Sequence, residues 1–222
     1  MLALRLAADA PISDRPHLEQ FIRRLDGIVP TGNYSAKNPK RQLPLGLLSE
    51  SLSTRALAHA RENRKEMAKR AIELMSEVWG EPFEVVKEVD LTHNFVRKES
   101  WFGRALFIHR KGAVALSQGD LALIPGSMGT ASYVVQGLGN EASFGSCSHG
   151  AGRVMTRSEA RRRVERKQLQ RVLRHVVWPE HRARDLVEEA PEVYRDIREV
   201  LGDQEDLVIR KVRLEPLAVW KG

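Results

Sequence analysis

The sequence contains little of what several common kinds of protein are built from. Its single cysteine, Cys147, excludes a disulfide framework and any metal site made only of thiolates. Aromatic residues make up 6%, so the composition does not suggest an exposed platform for stacking nucleic-acid bases. No run approaches the roughly 20 apolar residues that span a bilayer, and residues 1–15 lack the pattern of a secretory signal. We therefore expect a soluble, cytoplasmic protein.

The charge balance is moderately basic. Lysine and arginine number 36 against 29 aspartate and glutamate, for a net charge of +7. Such an excess suits a phosphate-rich partner, because basic side chains that neutralise phosphates release counterions. Soluble proteins with no nucleic-acid role carry similar excesses, so the charge by itself leaves both interpretations open. The length of 222 residues allows one large domain or two small ones.

The apolar periodicity predicts an α+β chain, without regularly alternating βαβ units. A helix is predicted from about Ser13, with Leu18, Phe21, Ile22 and Leu25 on one face. A longer helix is predicted from Thr54 to Gly80, with apolar positions at Leu57, Met67, Ala71, Leu74, Met75 and Val78. Proline and glycine predict a loop over residues 33–48. Short β-prone runs follow at Phe83–Val89, Asn94–Val96, Ala105–His109, Ala113–Leu116, Leu121–Ile124 and Ala131–Gln136.

The last third of the chain is predicted to begin with a strongly basic helix. This helix covers Ser158–His175 and is capped by Ser158; a second helix covers Pro191–Leu201. A pair of strands, Leu207–Leu214 and Leu217–Trp220, closes the chain. The basic helix has few acidic residues to neutralise it, which favours a surface for nucleic-acid backbones, although a solvated face remains the simpler alternative.

Glycine is concentrated in one stretch. Seven of the 16 glycines lie between residues 125 and 153. The turn at Pro125–Thr130 could direct successive backbone N–H groups at an anion, and His149–Arg153 offers a second such turn. Neither the GxxxxGK[ST] nor the GxGxxG pattern occurs, and turn geometry alone would also explain the glycines.

Two histidines lie where small or polar neighbours leave the ring accessible. His149 is flanked by serine, glycine and alanine, so its imidazole could serve as a base, a nucleophile or a metal ligand. Cys147-x-His149 lacks the second pair of ligands that zinc requires. His93 and Asn94 end a strand-like run after Asp90, where they could hold a divalent cation or orient a phosphate. A hydrogen-bonded structural histidine remains the alternative at both positions.

Several segments resemble the C-terminal half of the RtcB family, which are GTP-dependent RNA ligases of tRNA splicing and RNA repair. They are HNFVRKE (93–99), HRKGAV (109–114), IPGSMGTASYVV (124–135), GLGNEASF (137–144) and CSHGAGRVMTRSEA (147–160). The resemblance runs from about Thr54 to the C-terminus, while residues 1–32 resemble part of the family's N-terminal half more weakly. It implies an α+β fold of mixed sheets with flanking helices. The implied domains are a remnant at 1–32, a linker at 33–53 and a catalytic region at 54–222.

The resemblance also implies a role for particular residues. His149 matches the histidine that is guanylylated to a covalent histidine–GMP intermediate; GMP then passes to an RNA 3′-phosphate, which a 5′-hydroxyl attacks. His93 matches a manganese ligand. The implied cofactors are GTP and Mn²⁺, and the implied partners are tRNA halves or broken RNA ends, with no membrane. The nucleotide contacts match Asn94, Pro125, Gly126, Ser127, Met128, Ser132, Gly150, Ala151, Gly152 and Lys221.

The sequence departs from the family pattern at the metal site. The DxGCG motif and the GNHF segment that carry the other manganese ligands are absent, so His93 is the one family ligand that remains. Two functions therefore stay open. The first is an RNA ligase that joins 2′,3′-cyclic-phosphate or 3′-phosphate ends to 5′-hydroxyl ends. The second is a catalytically dead RNA- or nucleotide-binding remnant, or one half of a split ligase whose partner chain supplies the missing ligands. We also expect a truncated chain with an incomplete core and uncovered apolar faces.

Overall fold

The fold combines helices with short antiparallel strands, in a computed structural model that describes the backbone of residues 2–6, 14–28 and 50–221 and the side chains of 14–25 and 57–221. The first elements in chain order are β1 (Leu2–Leu6), α1 (Arg15–Ile28), α2 (Glu50–Trp79), β2 (Phe83–Glu88), β3 (Asn94–Trp101), β4 (Arg104–Lys111) and β5 (Ala113–Ala115). They are followed by β6 (Leu121–Ile124), β7 (Ser132–Gly137), β8 (Ser146–Ser148), α3 (Arg157–Arg163), α4 (Arg166–Val172), α5 (Ala183–Leu186), α6 (Ile197–Gly202) and β9 (Val208–Leu214).

The described strands pair in small sheets. Strand β1 pairs with β2, β3 with β4, and β5 with β8, while β6, β7 and β9 form a three-stranded sheet in that order. Every one of these pairs is antiparallel. This combination of helices and antiparallel sheets confirms the predicted α+β class. The predicted loop at 33–48 lies outside the described residues.

The main core lies between the three-stranded sheet, the β5–β8 pair and helix α6. In β6, Ala122 and Ile124 are fully buried while Leu121 and Leu123 are half-buried, which is the alternation of a strand with one face on a core. Other members of the cluster come from each neighbouring element: Val114, Leu116, Val135, Cys147, Ile197, Leu201 and Val208. This core fixes β8, and therefore the start of the segment that carries His149.

A second core lies among the short helices of residues 156–193. Leu169, Leu173 and Leu186 are its buried aliphatic centre, and Trp178 packs against them. Met128 reaches this core from the glycine-rich turn and is 2% exposed. One apolar side chain thus anchors the turn to the helical part of the molecule.

Helix α1 packs against α2 with the predicted face. Leu18 and Ile22 are buried, with Phe21 and Leu25 partly buried beside them. Helix α2 begins at Glu50, earlier than the predicted Thr54, because no glycine or proline interrupts the residues between them. Its Met67 is 58% exposed, so its predicted place in the apolar face is wrong. Helix α2 buries its apolar face at its C-terminal end, through Leu74 and Val78.

The predicted basic helix over Ser158–His175 is wrong as a single element. It divides into α3 and α4 at Val164, which has extended backbone angles (φ −88°, ψ 121°) and is buried. Its N-cap is Thr156, which forms a capping box with Glu159, and not Ser158. The break lets the Val164 side chain enter the second core, and its burial there stabilises the fold. The apolar periodicity of the sequence does not predict this burial.

Two further predictions near the C-terminus need correction. Over Pro191–Leu201 the chain forms a 3₁₀ turn at Pro191–Val193 and then α6, because Tyr194 is extended and pairs with Arg153. The predicted strand at Leu217–Trp220 makes only one bridge, between Ala218 and Val177, and no ladder with β9. Its apolar residues pack on the helical part of the molecule instead.

Large apolar side chains are exposed on several strands. Phe102 and Phe107 lie on the β3–β4 hairpin, and Val85 and Val86 lie on β2. Ile209 and Val212 are exposed on β9, the edge strand of its sheet. Among the described residues, no helix is long and apolar enough to cross a membrane.

Candidate active site around His149

His149 is the first residue after β8, and its ring is held by a backbone carbonyl. Because Ala113 pairs with Ser148, Gly112 lies beside His149. The Nδ1 atom of the ring is 2.6 Å from the Gly112 carbonyl oxygen, and the His149 backbone N–H donates to the same oxygen at 3.3 Å. A carbonyl oxygen only accepts, so the contact requires the proton on Nδ1. In the neutral ring this leaves the lone pair on Nε2.

Gly112 cannot be replaced by a larger residue without disturbing this contact. Its φ is +70°, and a Cβ atom built there would lie 3.3 Å from Cε1 of His149. On its other side the Gly112 N–H donates to the His93 carbonyl at 2.9 Å and to Oδ1 of Asn94 at 3.0 Å. Gly112 was not predicted as a site residue, although a glycine between two predicted strands is a signal for positive φ.

His93 lies against the ring of His149. The two rings are stacked, with centroids 4.9 Å apart and planes 10° apart. Partial burial lowers the pKa of His93, and the charges of His149 and Arg64 lower it further. The structure thus brings the predicted nucleophile and the predicted metal ligand into direct contact. Asn94 lies beside them, bonded to the Gly112 N–H.

The described residues do not form a manganese site by themselves. Within them, no group of three His, Cys, Asp or Glu side chains could hold a metal ion. Asp90, the carboxylate nearest to His93 in the sequence, accepts two hydrogen bonds from Arg64, which lower its pKa. Cys147 points into the main core, where burial raises the pKa of its thiol to about 12. His93 therefore fits a metal ion only if other ligands come from elsewhere.

The glycine-rich turn joins the His149 segment through one backbone hydrogen bond. The Ala151 N–H donates to the Pro125 carbonyl at 3.0 Å. A Cβ on Gly126 would lie 2.3 Å from the Ala131 carbonyl oxygen, so only glycine fits where the turn closes. The Ser127 N–H donates to the Thr130 hydroxyl at 2.8 Å, which closes the turn. The predicted nucleotide contacts at Pro125–Met128 and Gly150–Gly152 thus lie in two touching turns.

Ser132 and Gly150 occupy restricted places in these turns. Ser132 begins β7, and its hydroxyl accepts from the Gly126 N–H at 3.4 Å. A Cβ on Gly150 would lie 3.3 Å from the Pro125 carbonyl oxygen. Gly152 has a φ of +72°, and its carbonyl accepts from the Arg195 N–H. These contacts keep both turns in one arrangement beside His149.

Lys221 is tied to the His149 segment through a network of half-buried groups. Its Nζ atom is 3.0 Å from Oε2 of Glu189, which also accepts from the Tyr194 hydroxyl. Arg153 donates to Tyr194 at 3.2 Å and to Glu189 at 3.4 Å. Burial alone would raise the pKa of Glu189, but hydrogen bonds from Tyr194 and Lys221 hold it below its ordinary value. Burial and Glu189 together raise the pKa of Tyr194 to about 12.

Glu189 and Tyr194 were not identified from the sequence. Neither residue has a spacing signal that links it to Arg153 or Lys221, because the network is assembled from four separate segments. The other two members were recognised from the sequence, Arg153 at the end of the SHGAGR segment and Lys221 as a matched nucleotide contact.

The start of the His149 segment is held by two largely buried polar side chains. Arg110 is 4% exposed, and it donates to both oxygens of Glu99, to the Ser146 hydroxyl and to the Phe144 carbonyl. Gln204 accepts from the Ser148 N–H at 2.7 Å and donates to the Ser148 hydroxyl at 2.9 Å. Residues that flank His149 are therefore fixed, while His149 itself is exposed.

The basic residues of α3 and α4 are only partly neutralised. Glu188 pairs with Arg157 and Arg161, an acidic contribution from another element that the sequence analysis did not foresee. Arg163 pairs with Glu159. Among the described basic residues of α3, α4 and the two positions after α4, those exposed and without an ion pair are Arg162, Arg166, Lys167, Arg171 and Arg174.

A cavity of about 400 Å³ lies on the distal half of the glycine-rich turn. Gly129–Ala131 form one wall, and Tyr133, Tyr194 and Arg195 are among the other residues around it. His149 is not one of the lining residues, so this cavity is separate from the accessible ring.

Comparison with known proteins points to one family. A family model described as "tRNA-splicing ligase RtcB" matches residues 51–222. The RNA-splicing ligase RtcB of Escherichia coli (strain K12) is 44% identical over 137 residues, which cover 62% of this chain and 33% of that protein. The RNA-splicing ligase RtcB of Mycobacterium tuberculosis (strain ATCC 25618 / H37Rv) is 31% identical over 219 residues, covering 86% of this chain and 50% of that protein.

A similar match comes from an archaeon. The tRNA-splicing ligase RtcB of Methanocaldococcus jannaschii is 31% identical over 224 residues, covering 86% of this chain and 23% of that protein. The chain thus spans between about a quarter and a half of the length of these relatives.

Proposed function

The chain belongs to the RtcB family, and from that membership we propose that it is the part of an RNA ligase that carries the nucleophilic histidine, His149. The reaction joins an RNA end with a 3′-phosphate or 2′,3′-cyclic phosphate to a 5′-hydroxyl end, in tRNA splicing or RNA repair. The observation that carries the proposal is the 2.6 Å contact between Nδ1 of His149 and the Gly112 carbonyl. It leaves Nε2 of an exposed ring as the free nucleophilic atom.

The chemistry starts with attack of Nε2 on the α-phosphorus of GTP. An N–P bond forms, the P–O bond to the β-phosphate breaks, and pyrophosphate leaves. The imidazole ring becomes positively charged in this histidine–GMP state, and the Gly112 carbonyl stabilises the charge by accepting from Nδ1–H. A 3′-phosphate oxygen of RNA then takes the GMP from Nε2. The 5′-hydroxyl oxygen then attacks the 3′-phosphorus, which forms the new phosphodiester, breaks the P–O bond to GMP and releases GMP and the hydroxyl proton to water. A 2′,3′-cyclic phosphate end is first opened by water to the 3′-phosphate.

The two touching turns support a nucleotide site beside His149. The hydrogen bond from Ala151 to Pro125 joins the Pro125–Met128 turn to the segment that begins with His149, which supports a single nucleotide site shared by the ring and the turn. We assign nucleotide contacts to Asn94, Ser132 and the turns at 125–128 and 150–152. Lys221 is assigned a nucleotide contact as well, since an ammonium has three donors and Glu189 accepts only one of them.

RNA binding is assigned to the unpaired arginines and lysine of α3 and α4. Their charges are exposed and follow the His149 segment in the chain. Phosphate contacts of this kind give affinity that falls steeply with salt.

The metal site favours a second candidate, one half of a split ligase. His93 is the one manganese ligand that we assign, and the described residues do not complete the site around it. A partner chain would supply the other ligands. Without such a chain, the protein would act as a nucleotide- or RNA-binding remnant.

Covalent labelling tests the first candidate. The chain is incubated with [α-³²P]GTP and manganese, and we expect a label that is stable to alkali and labile to acid, as a phosphoramidate is. His149→Ala removes the label, while His109→Ala, a change at an exposed histidine of the β3–β4 hairpin, retains it. A label that survives in His149→Ala overturns the assignment. No label on the wild type, together with retained GTP or RNA binding, supports the remnant or the split ligase.

Salt dependence tests the RNA surface. Replacing Arg162, Arg166 and Lys167 with glutamine should weaken binding of single-stranded RNA and lower the slope of log K against log [salt] by about 2. The control replaces Lys65, Lys69 and Arg70 of α2, which changes the net charge equally but removes residues already paired with glutamates. An equal loss in both variants would show that only net charge matters.

A further inference from the structure

We propose that Asn94 positions His149 through the backbone of Gly112. This inference rests on the proposed role of His149 as the nucleophile. The resemblance assigned Asn94 only to the nucleotide, whereas in the structure its Oδ1 atom accepts from the Gly112 N–H at 3.0 Å. The carbonyl of the same glycine accepts from Nδ1 of His149 at 2.6 Å. Asn94 thereby acts on a ring that it does not contact.

The effect depends on the conformational freedom of glycine. Gly112 lies directly after the last pair of the β3–β4 hairpin, Asn94 with Lys111, and has a φ of +70°. A glycine there has many backbone conformations available, and each one directs its carbonyl differently. Two acceptors, the His93 carbonyl and Oδ1 of Asn94, hold its N–H. Fixing the N–H on one side of Cα restricts where the carbonyl on the other side points.

The position of that carbonyl decides which ring nitrogen carries the proton. A neutral imidazole exists as two tautomers, and only the one with Nδ1–H leaves a lone pair on Nε2. The Gly112 carbonyl selects this tautomer because it can only accept. The backbone N–H of His149 donates to the same oxygen at 3.3 Å, and this second hydrogen bond keeps His149 close to the Gly112 carbonyl. The stacked ring of His93 restricts the imidazole from its face.

The two possible roles of Asn94 use different atoms of its amide. Positioning uses Oδ1 as an acceptor, whereas direct nucleotide binding would use the Nδ2 group as a donor. Asn94→Asp keeps an acceptor oxygen for the Gly112 N–H but removes the donor and adds a negative charge facing the nucleotide. Asn94→Ala removes both. The pair of variants therefore separates the two roles.

The first readout is the tautomer of His149, which does not require ligase activity. Long-range ¹H–¹⁵N correlation spectra of the full chain with ¹⁵N-labelled histidine are recorded at about pH 8, where an ordinary imidazole is neutral. We expect the Nδ1–H form in the wild type and in Asn94→Asp. In Asn94→Ala the ratio of the two tautomers should shift toward Nε2–H by up to about tenfold, the factor of one net hydrogen bond. An unchanged ratio in Asn94→Ala overturns the proposal.

A measurement on the wild type alone covers the case in which Asn94→Ala does not fold. A hydrogen bond from Gly112 to Asn94 gives a scalar coupling between the Gly112 amide ¹⁵N and the Asn94 side-chain ¹³Cγ. We expect this coupling in the folded chain. Its absence, with the corresponding coupling to the His93 carbonyl ¹³C present, would overturn the proposal.

The second readout is the rate of guanylylation, measured as a split between rate and affinity. In Asn94→Ala the rate constant for labelling at saturating GTP should fall by up to about tenfold. Asn94→Asp should restore this rate constant, although both variants lack the Nδ2 donor and bind GTP with a raised Kd. A raised Kd in both variants with a normal tautomer would assign Asn94 to the nucleotide alone and overturn positioning. If the wild type forms no label, the proposed function fails while the tautomer measurement still decides the role of Asn94.

Discussion

The two ends of the segment that carries His149 are held in different ways. At its start, Ser146 and Ser148 are bonded to Arg110 and Gln204, two side chains at or below a tenth of full exposure. At its end, Arg153 joins Glu189 and the C-terminal Lys221 in a network whose members are half-buried. Between these ends the His149 ring is exposed. The exposed His149 ring thus lies between a buried set of polar contacts and a half-buried set with access to solvent.

The difference matters because the cost of breaking a polar contact depends on water. A buried charge that loses its partner cannot be solvated, whereas a half-exposed group exchanges its partner for water. We therefore expect substitutions at the start of the segment to lower the free energy of unfolding strongly, and substitutions at its end to lower it only slightly. The following predictions test that difference, from the largest expected effect to the smallest.

The largest effect is expected for the buried ion pair at the start. Arg110→Ala leaves Glu99 without its main partner and should lower the free energy of unfolding by about 3–5 kcal/mol. Arg97 pairs with the same glutamate, but its side chain is 59% exposed, so Arg97→Ala should cost about 1 kcal/mol or less. Urea denaturation followed by circular dichroism measures both. Equal losses in the two variants would mean that burial does not distinguish the pairs.

The same ion pair should make the fold sensitive to acid. Hydrogen bonds from Arg110, opposed by burial, lower the pKa of Glu99 to about 2. A pKa lower in the folded than in the unfolded state stabilises the fold above the unfolded value of about 4.3, and this contribution is lost as the pH falls toward 2. Glu99→Gln should flatten the unfolding free energy over this range. Asp196→Asn should change the profile much less, because its partner Arg198 is 76% exposed and solvent screens that pair.

The contact between His149 and Gly112, midway between the two ends of the segment, is tested by substituting two glycines. Gly112→Ala and Gly103→Ala both place a side chain at a φ of +70°, which costs about 1–2 kcal/mol in either position. Only at Gly112 would the new Cβ meet the His149 ring; at Gly103 it would meet nothing within 4 Å. We expect similar thermal stabilities and a loss of GTP labelling in Gly112→Ala alone. Normal labelling there would contradict the assigned role of the carbonyl.

The smallest effect is expected at the end of the segment. Tyr194→Phe removes the hydrogen bond to Glu189 and the one from Arg153. It should lower the free energy of unfolding by about 1 kcal/mol, because water replaces the lost partners at this half-buried site. Tyr133→Phe, a change at a tyrosine of the main core, is the matched control for loss of a hydroxyl. A loss at Tyr194 as large as that of Arg110→Ala would show that the two sets of contacts are equivalent after all.

Elements formed by interactions between residues close in sequence could be predicted, whereas those that depend on contacts between distant residues could not. The α+β class, helix α1 with its buried Leu18 and Ile22, and strands β2 to β7 follow from local periodicity. The single basic helix was wrong because Val164 gains more from burial in a distant core than from helical continuation. Strand β8 was not predicted at all, since three residues carry too short a pattern to read.

The candidate site shows the same division between local and distant interactions. His149, His93 and the glycine-rich turns stand out in the sequence because their residue types are unusual at such density. Gly112 and Glu189 do not, because their importance comes from what they contact: Gly112 approaches His149 across 37 positions, and Glu189 approaches Lys221 across 32.

The sequence by itself determined the family resemblance, the fold class and the identity of the exposed histidine. Each of these depends on residue types and short spacings, which a linear chain records directly. Only the tertiary structure decided which atom of His149 is free, that Cys147 is buried away from any metal, and that Asn94 bonds to Gly112. These depend on distances of a few ångströms between residues far apart in the chain, and such distances are fixed by the packing of the whole core rather than by any local pattern.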